Sequence, residues 1–442
     1  MNRQPHDAPH TADIEKHRSP LRSRDFVLLI TGQGISLFGN MMLRFAMAMW
    51  VLDETGSATV FASILAVSIV PTILLSPFGG VLADRMNRRT IMVALDAASG
   101  VLVLVCALTF AGIGFNIVAI GAMQVGLAVL GAFETPTVQA ALPQMFRAHG
   151  PDAMRRAMAV VNQTQQLGTL LPSFLGGVLY AAFGIRLMMA ITIASFALAA
   201  ALESLIRLGA PDRTAEMGDD GALPSPLADF KAGVRFLTHD RPHVLKLLLF
   251  AAALNFVTIG FSGVGFPYTI RTVLGFGATA YGMADGLVGV AGVVGAMLAG
   301  ICAERLTMRR LPPALAAVAL TVLPQGVMFL LPVGAWTKLV VLVAFTCGTM
   351  VAASFTNLIA IPAIQMSTPE SMTGKVMAMC SALCMCAQPL GQLIYGWAYD
   401  RFPVAAVLLA SAGALAVLTV LMAPISRQFD ESPRPSHPVQ SV

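Results

Sequence analysis

Charged side chains are scarce along this chain. Lys, Arg, Asp and Glu make up 12% of the 442 residues, about half the roughly 25% of soluble domains. Hydrophobic residues make up 56%, and the mean hydropathy is +0.75. The apolar residues come in long blocks rather than in alternation, which excludes a β-barrel pattern. We therefore expect an all-α integral membrane protein, because a helix needs about 20 apolar residues to cross a bilayer.

Other absences narrow the chemistry. No histidine lies in a long apolar block, so we expect no histidine relay, no metal and no cofactor within the membrane. No G-x-x-x-x-G-K-[ST] sequence occurs, so ATP bound at such a loop is not the energy source. No apolar core precedes Asp25, and residues 1–24 are expected to form a polar cytosolic tail rather than a cleaved signal peptide.

Cysteine is also rare, with six residues that all lie in or beside apolar blocks. They cannot form the disulfide framework of a small secreted domain. Cys380 and Cys384 would share one face of a helix beside several methionines, as in a soft-metal site. Packing of small residues is the interpretation we favour.

Twelve apolar blocks are long enough to span a bilayer. We number them as spans one to twelve: 26–51, 59–83, 90–112, 116–137, 157–182, 185–206, 245–269, 278–301, 312–333, 337–363, 376–398 and 403–424. The expected organisation is a six-helix bundle over 25–206, a cytosolic linker over 207–244, a second six-helix bundle over 245–425 and a cytosolic tail over 426–442. Apolar residues at helical spacing over 227–237 predict an amphipathic surface helix, and a partly ordered linker is the alternative for 207–224.

Basic residues are distributed unequally between the two sides. The tails and alternate loops hold 23 of the 28 Lys and Arg residues, and the loops on the other side hold four. Arg44 is the remaining one, within span one. Because basic loops stay in the cytoplasm, we expect a multi-pass protein of the plasma (inner) membrane with both termini inside.

A short motif occurs twice. Residues 80–89 read GVLADRMNRR between spans two and three, and residues 300–310 read GICAERLTMRR between spans eight and nine. Two further pairs, Pro151 with Pro369 and Pro172 with Pro389, are separated by a similar offset. A duplicated six-span unit explains these repeats, and its two copies would be related by an axis along the membrane normal.

The first motif matches G-x-L-A-D-R-x-G-R-R, and on it the chain resembles the major facilitator superfamily over nearly all of 25–425. Asn87 stands where that family has glycine, and we expect it to occupy the same left-handed turn. The resemblance implies that the motif latches the outward-open state between the two halves. A carboxylate there can cap a neighbouring helix N-terminus, with the arginines near lipid phosphates. The gating candidates are Gly80, Asp84, Arg85, Arg88, Arg89, Glu304, Arg305 and Arg309.

The chain is similar to the drug-exporter branch that includes macrolide efflux and enterobactin exporters. The span-five motif of proton antiporters, G-x-x-x-G-P-x-x-G-G, is partly present as Gly168, Pro172, Gly176 and Gly177. Leu171 replaces the glycine before proline, and the arginine that this class often carries in span four is missing. These two departures leave drug/proton exchange open.

Ionisable residues within spans are costly and therefore functional candidates. Arg44 and Asp285 should lie at similar depths in the outer half, where they could form a proton-sensitive contact, an anion-binding point or a static ion pair. Asp96 and Glu134 lie toward the cytoplasmic side, either as anchoring carboxylates or as proton carriers. Glu203 is expected to reach water at the end of span six.

Uncharged polar side chains interrupt other spans and are candidates for the wall of a cavity: Gln33, Asn40, Asn255, Tyr268, Asn357 and Gln388. Hydrogen bonds between helices are the alternative for each of them. Span eight carries a stripe of five glycines that would allow another helix to approach closely, either as a moving or as a static contact.

Together these features predict a secondary active exporter of small amphipathic molecules of the drug, macrolide or siderophore type. Alternating access with protons as the coupling ion, action as a monomer and no nucleic-acid partner are the corresponding expectations. The alternative is an importer of an organic anion, anchored by Arg44. A membrane enzyme or receptor would need a large extramembrane domain or a catalytic constellation, and the sequence contains neither.

Overall fold

The computed structural model describes residues 20–146, 149–207 and 234–431. These ranges are helical and contain no strand, which confirms the predicted all-α fold. They include 11 helices long and apolar enough to cross a membrane. One of these helices crosses twice, so the described chain makes the twelve predicted crossings.

The first bundle, which holds spans one to six, consists of α1 (Arg24–Thr55), α2 (Ala58–Arg85), α3 (Arg88–Ile113), α4 (Ile117–Phe146) and α5 (Gly150–Ser204). The second bundle, which holds spans seven to twelve, consists of α6 (Pro242–Thr258), α7 (Ala278–Ile301), α8 (Leu311–Leu330), α9 (Ala335–Met366), α10 (Glu370–Arg401) and α11 (Val404–Glu431).

Helix α5 contains two membrane crossings. Its 55 residues would extend about 80 Å at 1.5 Å per residue, far more than the roughly 30 Å of a hydrocarbon core. The chain bends at Gly184, which has φ 70° and ψ −173°, a conformation that glycine adopts without steric cost. The first arm of α5 (150–183) and its second arm (185–204) are therefore spans five and six.

Span seven is not a regular α-helix. After α6, two wider turns of the π type, Ile259–Gly265 and Thr269–Val273, flank the short α segment Phe266–Tyr268. Tyr395 and Tyr399 of α10 lie directly against Gly260 and Gly265 of this segment. Glycine is required at these two positions because a side chain there would occupy the space of a tyrosine ring.

The loop between α2 and α3 corrects one prediction. Asn87 was expected in a left-handed turn, but it has φ −65° and ψ 117°. Its side-chain oxygen accepts a hydrogen bond of 3.0 Å from the backbone N–H of Arg89, and Asn87 is therefore the N-cap of α3. Asparagine is among the best N-cap residues. The role of Asn87 therefore rests on the hydrogen bond that its side chain accepts, and not on its tolerance of a left-handed backbone conformation.

The second copy of the motif has a different local structure. Helix α7 ends at Ile301, and two 3₁₀ turns follow, Ala303–Arg305 and Met308–Arg310. Glu304 and Arg305 are exposed there. The extra residue in this copy is accommodated by these turns, so the duplicated loops no longer share one conformation.

The two bundles meet near one side of the molecule. We call the side at which α1 begins and α11 ends the basic face, and the other side the opposite face. The contacts between bundles join the start of α2 to the end of α10, and the end of the first α5 arm to the start of α7. All four of these helix ends lie at the opposite face, which is therefore closed.

Glycine makes the contact between α5 and α7 close. A methyl group on Gly177 would lie 2.6 Å from the carbonyl oxygen of Ala278, and one on Gly282 would lie 2.5 Å from that of Ser173. Backbone thus packs directly on backbone at this point. Gly282 and its neighbours Gly286 and Gly289 form the part of the predicted glycine stripe that faces α5.

Most of the predicted amphipathic helix at 227–237 lies outside the described residues. The described part begins at Val234, and Phe236–Asp240 forms a single wide turn before α6. Leu237 is fully buried in an apolar cluster with residues of α6, α8 and α10. This cluster attaches the end of the linker to the second bundle at the basic face.

Candidate functional site

A cavity of about 510 Å³ lies between the bundles. Its wall comes mainly from α1, α2, α4 and the first arm of α5, with two residues of α10. Ile30 and Val161 line it only six and eleven residues into their helices, so the cavity reaches toward the basic face. Its polar and charged lining residues are Gln33, Ser36, Asn40, Arg44, Ser68, Thr72, Gln124, Glu134, Thr135, Thr164, Gln165, Thr169 and Gln388.

One face of α1 supplies most of this chemistry. Gln33, Ser36, Asn40 and Arg44 follow one another at intervals of three or four residues, which places them on a single helical stripe. All four line the cavity. The amide, hydroxyl and guanidinium groups are therefore arranged in a row along α1, from Gln33 nearer the basic face to Arg44, which lies past the midpoint of the helix.

Ser36 brings two carboxylates together. Its Oγ donates to Oδ1 of Asp96 on α3 at 2.7 Å and lies 3.5 Å from Oε1 of Glu134 on α4. A hydroxyl carries one hydrogen but has two acceptor lone pairs. Ser36 can therefore bind both groups well when Glu134 carries a proton and donates it to Ser36.

Gln33 holds a third carboxylate. Its Nε2 donates to Oε1 of Glu203, on the second arm of α5, at 2.7 Å. The prediction that Glu203 reaches water is wrong, because its side chain is 0% exposed. Gly32 explains the burial, since a methyl group on it would lie 3.1 Å from Cγ of Glu203, and this small residue makes room for the carboxylate against α1.

We call Asp96, Glu134 and Glu203 the carboxylate cluster. Asp96 is 1% exposed, whereas Glu134 is partly exposed and lines the cavity. Oδ2 of Asp96 and Oε2 of Glu203 are buried without a hydrogen-bond partner. No Lys, Arg or His side chain pairs with the cluster within the described ranges. Since an ionised, unpaired carboxylate is expensive to bury, this arrangement favours bound protons.

The predicted pair of Arg44 and Asp285 is not formed. Asp285 instead accepts a 2.6 Å hydrogen bond from Ser173 Oγ of α5. Arg44 is exposed to the cavity and has no ion-pair partner among the described residues. Counting residues gave both side chains a similar depth, but Asp285 points toward α5 and Arg44 toward the cavity.

The other predicted polar residues fall into two groups. Asn40 and Gln388 line the cavity. Asn255 donates to the carbonyl of Ala251 in its own helix at 3.1 Å, and the ring of Tyr268 packs at a tilt against that of Tyr399, with centroids 5.9 Å apart. The last two are therefore parts of the second bundle rather than of the cavity wall.

The span-five residues bring α5 close to α1. A methyl group on Gly168 would lie 2.5 Å from Leu37 Cδ2, and one on Gly176 would lie 3.0 Å from Phe45. Pro172 is buried between them. In this structure the partial motif shapes the contact between the two helices that carry most of the cavity wall.

Two of the gating candidates, Arg88 and Arg89, form hydrogen bonds to other helices of the first bundle. Arg88 donates to the side-chain oxygen of Gln144 at 3.1 Å, and Arg89 donates to the backbone carbonyl of Ser204. Both were expected near lipid phosphates, but each ties the start of α3 to another helix end. Gly80 is described only as part of α2, and the side chains of Asp84 and Arg85 lie outside the described part of the structure, so their predicted latch stays a prediction.

Sequence reasoning missed the convergence on Ser36 and wrongly placed the side chain of Glu203 in water. The signal that could have found both is the stripe on α1, because Gln33 and Ser36 are one turn apart on the face that also carries Asn40 and Arg44. Which carboxylates meet that stripe depends on how α3, α4 and α5 rotate about their axes. The spacing within each helix does not specify this rotation.

Comparison with known proteins identifies the architecture. The family model described as the Major Facilitator Superfamily matches residues 29–387, which is most of the chain. The chain belongs to this superfamily. Membership makes the protein a transporter rather than an enzyme, and it explains the two six-span bundles around a cavity.

Two proteins that the chain resembles over most of its length are efflux proteins. The chain is 26% identical over 435 residues to the multidrug efflux pump Tap of Mycolicibacterium fortuitum, covering 95% of this chain and 99% of the relative. It is 21% identical over 422 residues to macrolide efflux protein A of Streptococcus pyogenes, covering 91% and 96%. Among solved structures, the nucleoside transporter NupG superposes with a TM-score of 0.69 at 11% identity, covering 91% of this chain and 100% of that one.

Proposed function

We propose that this superfamily transporter is a proton-driven exporter of small amphipathic molecules that works by alternating access. The two bundles rock about the cavity, and a gradient of protons drives the cycle. Similarity to two efflux proteins over more than nine-tenths of the chain supports the direction of transport. The carboxylate cluster beside the cavity is the observation that carries the proposal of proton coupling.

The basic face is proposed to be cytoplasmic. It carries the loops and tails that hold 23 of the 28 Lys and Arg residues, the distribution that keeps loops on the inside. Both termini are then in the cytoplasm, and the protein lies in the plasma (inner) membrane. The state described here has its cavity directed to the cytoplasm, where an exported substrate enters.

Coupling follows from the position of Glu134. It is the member of the cluster that lines the cavity, and through Ser36 it contacts the buried Asp96. In the state that faces outward, protons enter and neutralise the cluster, and the bundles can then return without carrying bare charge through the membrane. Substrate binding from the cytoplasm displaces a proton from Glu134, so substrate and proton move in opposite directions.

The cavity suits a substrate that is mostly apolar but has several hydrogen-bonding groups. Leucine, isoleucine, valine and methionine residues line it together with the amides of Gln33, Asn40, Gln124, Gln165 and Gln388. Arg44 adds one fixed positive charge without a partner in the described ranges. A substrate with a carboxylate, phenolate or carbonyl group would place that group at Arg44.

An importer of an organic anion is the second candidate, and Arg44 is the observation that favours it. An uncompensated guanidinium in the cavity can anchor a carboxylate directly. The two functions differ in the direction of flux. In vesicles whose cytoplasmic face is outward, an exporter accumulates substrate in the lumen, whereas an importer does not.

The substrate class can be tested with a compound panel. Cells that express the protein should accumulate less of at least one amphipathic compound, and a protonophore should remove the difference. The panel should contain matched neutral, cationic and anionic derivatives, since Arg44 predicts that anionic or neutral members are preferred. Equal accumulation of every compound with and without the protein would contradict export, and an effect that persists with the protonophore would contradict proton coupling.

The two copies of the loop motif should contribute unequally to the rate of transport. Asp84 lies at the end of an unbroken α2, whereas Glu304 lies in a separate exposed turn after α7. We expect Asp84→Asn to reduce the transport rate strongly and Glu304→Gln to leave it nearly unchanged, as measured by initial rates in the same vesicles at equal protein content. A larger loss in Glu304→Gln would show that the second copy carries the gate.

A further inference from the structure

The end of α10 is attached to the beginning of α2 by a single carboxylate. Asp400 accepts hydrogen bonds from the hydroxyl of Ser57 at 2.7 Å, from the backbone N–H of Ala58 at 2.8 Å and from that of Thr59 at 2.9 Å. Asp400 belongs to the second bundle and the other three residues to the first. These bonds therefore exist only while the opposite face is closed.

The start of α2 does not need Asp400 to remain helical. Ser57 is its N-cap, and its side chain accepts from the N–H of Val60 at 3.3 Å. The N–H of Phe61 bonds to the carbonyl of Ser57 at 3.2 Å. Of the four N–H groups that a helix leaves unpaired at its start, those of Ala58 and Thr59 are bound by the other bundle, and water can replace Asp400 when the bundles separate.

The position of Asp400 is fixed by the close packing one turn earlier. A methyl group on Gly396 would lie 2.5 Å from Cβ of Ala62 and 2.9 Å from the carbonyl oxygen of Ala58. α10 therefore touches the surface of α2 directly, with its final turn over the first turn of α2. A negative charge at that place interacts favourably with the positive end of the helix dipole.

The matching contact between α5 and α7 also holds a carboxylate, Asp285, but that carboxylate accepts a single hydrogen bond across the bundles, 2.6 Å from Ser173 Oγ, and it binds no helix N-terminus because Ser173 lies within α5. There Gly177 and Gly282 pack backbone on backbone, and a 3.3 Å hydrogen bond from Thr279 to the carbonyl of Gly177 is the other polar contact. At the same face, Asp53 of α1 pairs with Arg271 of span seven. That pair is partly exposed, and exposed ion pairs contribute little because water and salt screen them.

We propose that Asp400 is the positioning residue that holds the opposite face closed, and that it thereby sets the equilibrium between the two states of the transport cycle. It acts on the bundles and not on the substrate, so this role holds for export and import alike. Its loss shifts the population toward the state that is open at the opposite face. Substrate affinity measured from the basic face falls in proportion, while the cavity itself is unchanged.

The test uses a reporter far from Asp400. Ala278 is 3% exposed in the α5–α7 contact. This contact lies at the same closed face as Asp400 but between a different pair of helices, so Ala278 becomes accessible only when the bundles part. The full chain with Ala278→Cys is labelled in membranes with an impermeant maleimide. The unsubstituted chain is labelled in the same way, and its signal, which comes from the six native cysteines, is subtracted as background. Adding Asp400→Ala should raise the labelling rate of the introduced thiol about tenfold, the change expected for loss of a charged cap.

Asp400→Asn is the matched variant, because its amide oxygen still accepts hydrogen bonds but carries no charge. We expect the labelling rate of the introduced thiol to lie between the rate with Asp400 retained and the rate in Asp400→Ala. The Asn variant also allows the measurement if the Ala variant does not fold. Amide hydrogen exchange at the start of α2 gives the second readout. Faster exchange at Ala58 and Thr59 with unchanged labelling of the introduced thiol would show a local cap only and would overturn the proposal.

Discussion

Replacing Glu134 by Gln should abolish accumulation of substrate against a gradient. Gln has nearly the shape of a protonated Glu and can donate to Ser36, but it cannot release a proton. The cavity therefore remains intact while coupling is lost. In proteoliposomes, pH-driven accumulation should fall to the level of empty vesicles, and exchange of labelled for unlabelled substrate should continue near the unsubstituted rate.

Glu54→Gln is the control for this substitution. Glu54 also lies on a helix of the first bundle, but it is exposed at the opposite face and away from the cavity. We expect both accumulation and exchange to be retained in this variant. If Glu134→Gln retained pH-driven accumulation, or lost exchange together with accumulation, Glu134 would not be the coupling carboxylate.

Substituting Gly282 by Val should prevent the opposite face from closing. Its first side-chain carbon would lie 2.5 Å from the carbonyl oxygen of Ser173 and 2.9 Å from Cα of Gly177, and backbone atoms cannot rotate away. Overpacking of this kind costs about 1–3 kcal/mol, which corresponds to a shift of about 5- to 150-fold in the equilibrium between two states. Initial transport rates should fall by a similar factor.

Gly292 offers a matched control on the same helix. Apart from the adjacent backbone of α7 itself, no atom lies within 4 Å of a methyl group placed on it. Gly292→Val therefore makes the same change in helix propensity as Gly282→Val but causes no clash with another helix. We expect it to transport at close to the unsubstituted rate. Equal losses in Gly282→Val and Gly292→Val would attribute the effect to glycine flexibility in α7 and would contradict a steric role in closure.

Hydropathy was sufficient to predict the helices, because twelve crossings require twelve apolar blocks whatever their arrangement. Even the break near Gly184 was visible as a gap between spans five and six. The wide turns of span seven were not, since their residues are as apolar as those of a regular helix. Asn87 shows the same limit at one position, because asparagine suits both a left-handed turn and an N-cap, and only the geometry of α3 selects the cap.

The site was predicted less completely. Residue counting gave the depths of Arg44, Asp285 and Glu134 in the membrane. Arg44 and Glu134 line the cavity, and Asp285 does not. Depth does not determine which way a side chain points around its helix, so the predicted ion pair failed and Glu203 was misplaced. The carboxylate cluster needs three helices to present one residue each to α1, and this is a property of packing rather than of any single helix.

Simultaneous recording of proton and substrate movement tests the central claim most directly. Purified protein is reconstituted in vesicles that are acidic inside and have the basic face outward, with a pH dye in the lumen and a labelled substrate from the compound panel outside. Proton-driven export predicts that substrate entry raises the pH in the lumen, and that Glu134→Gln shows no such rise. Substrate entry without a change in lumenal pH, or entry that requires acid outside, would contradict it.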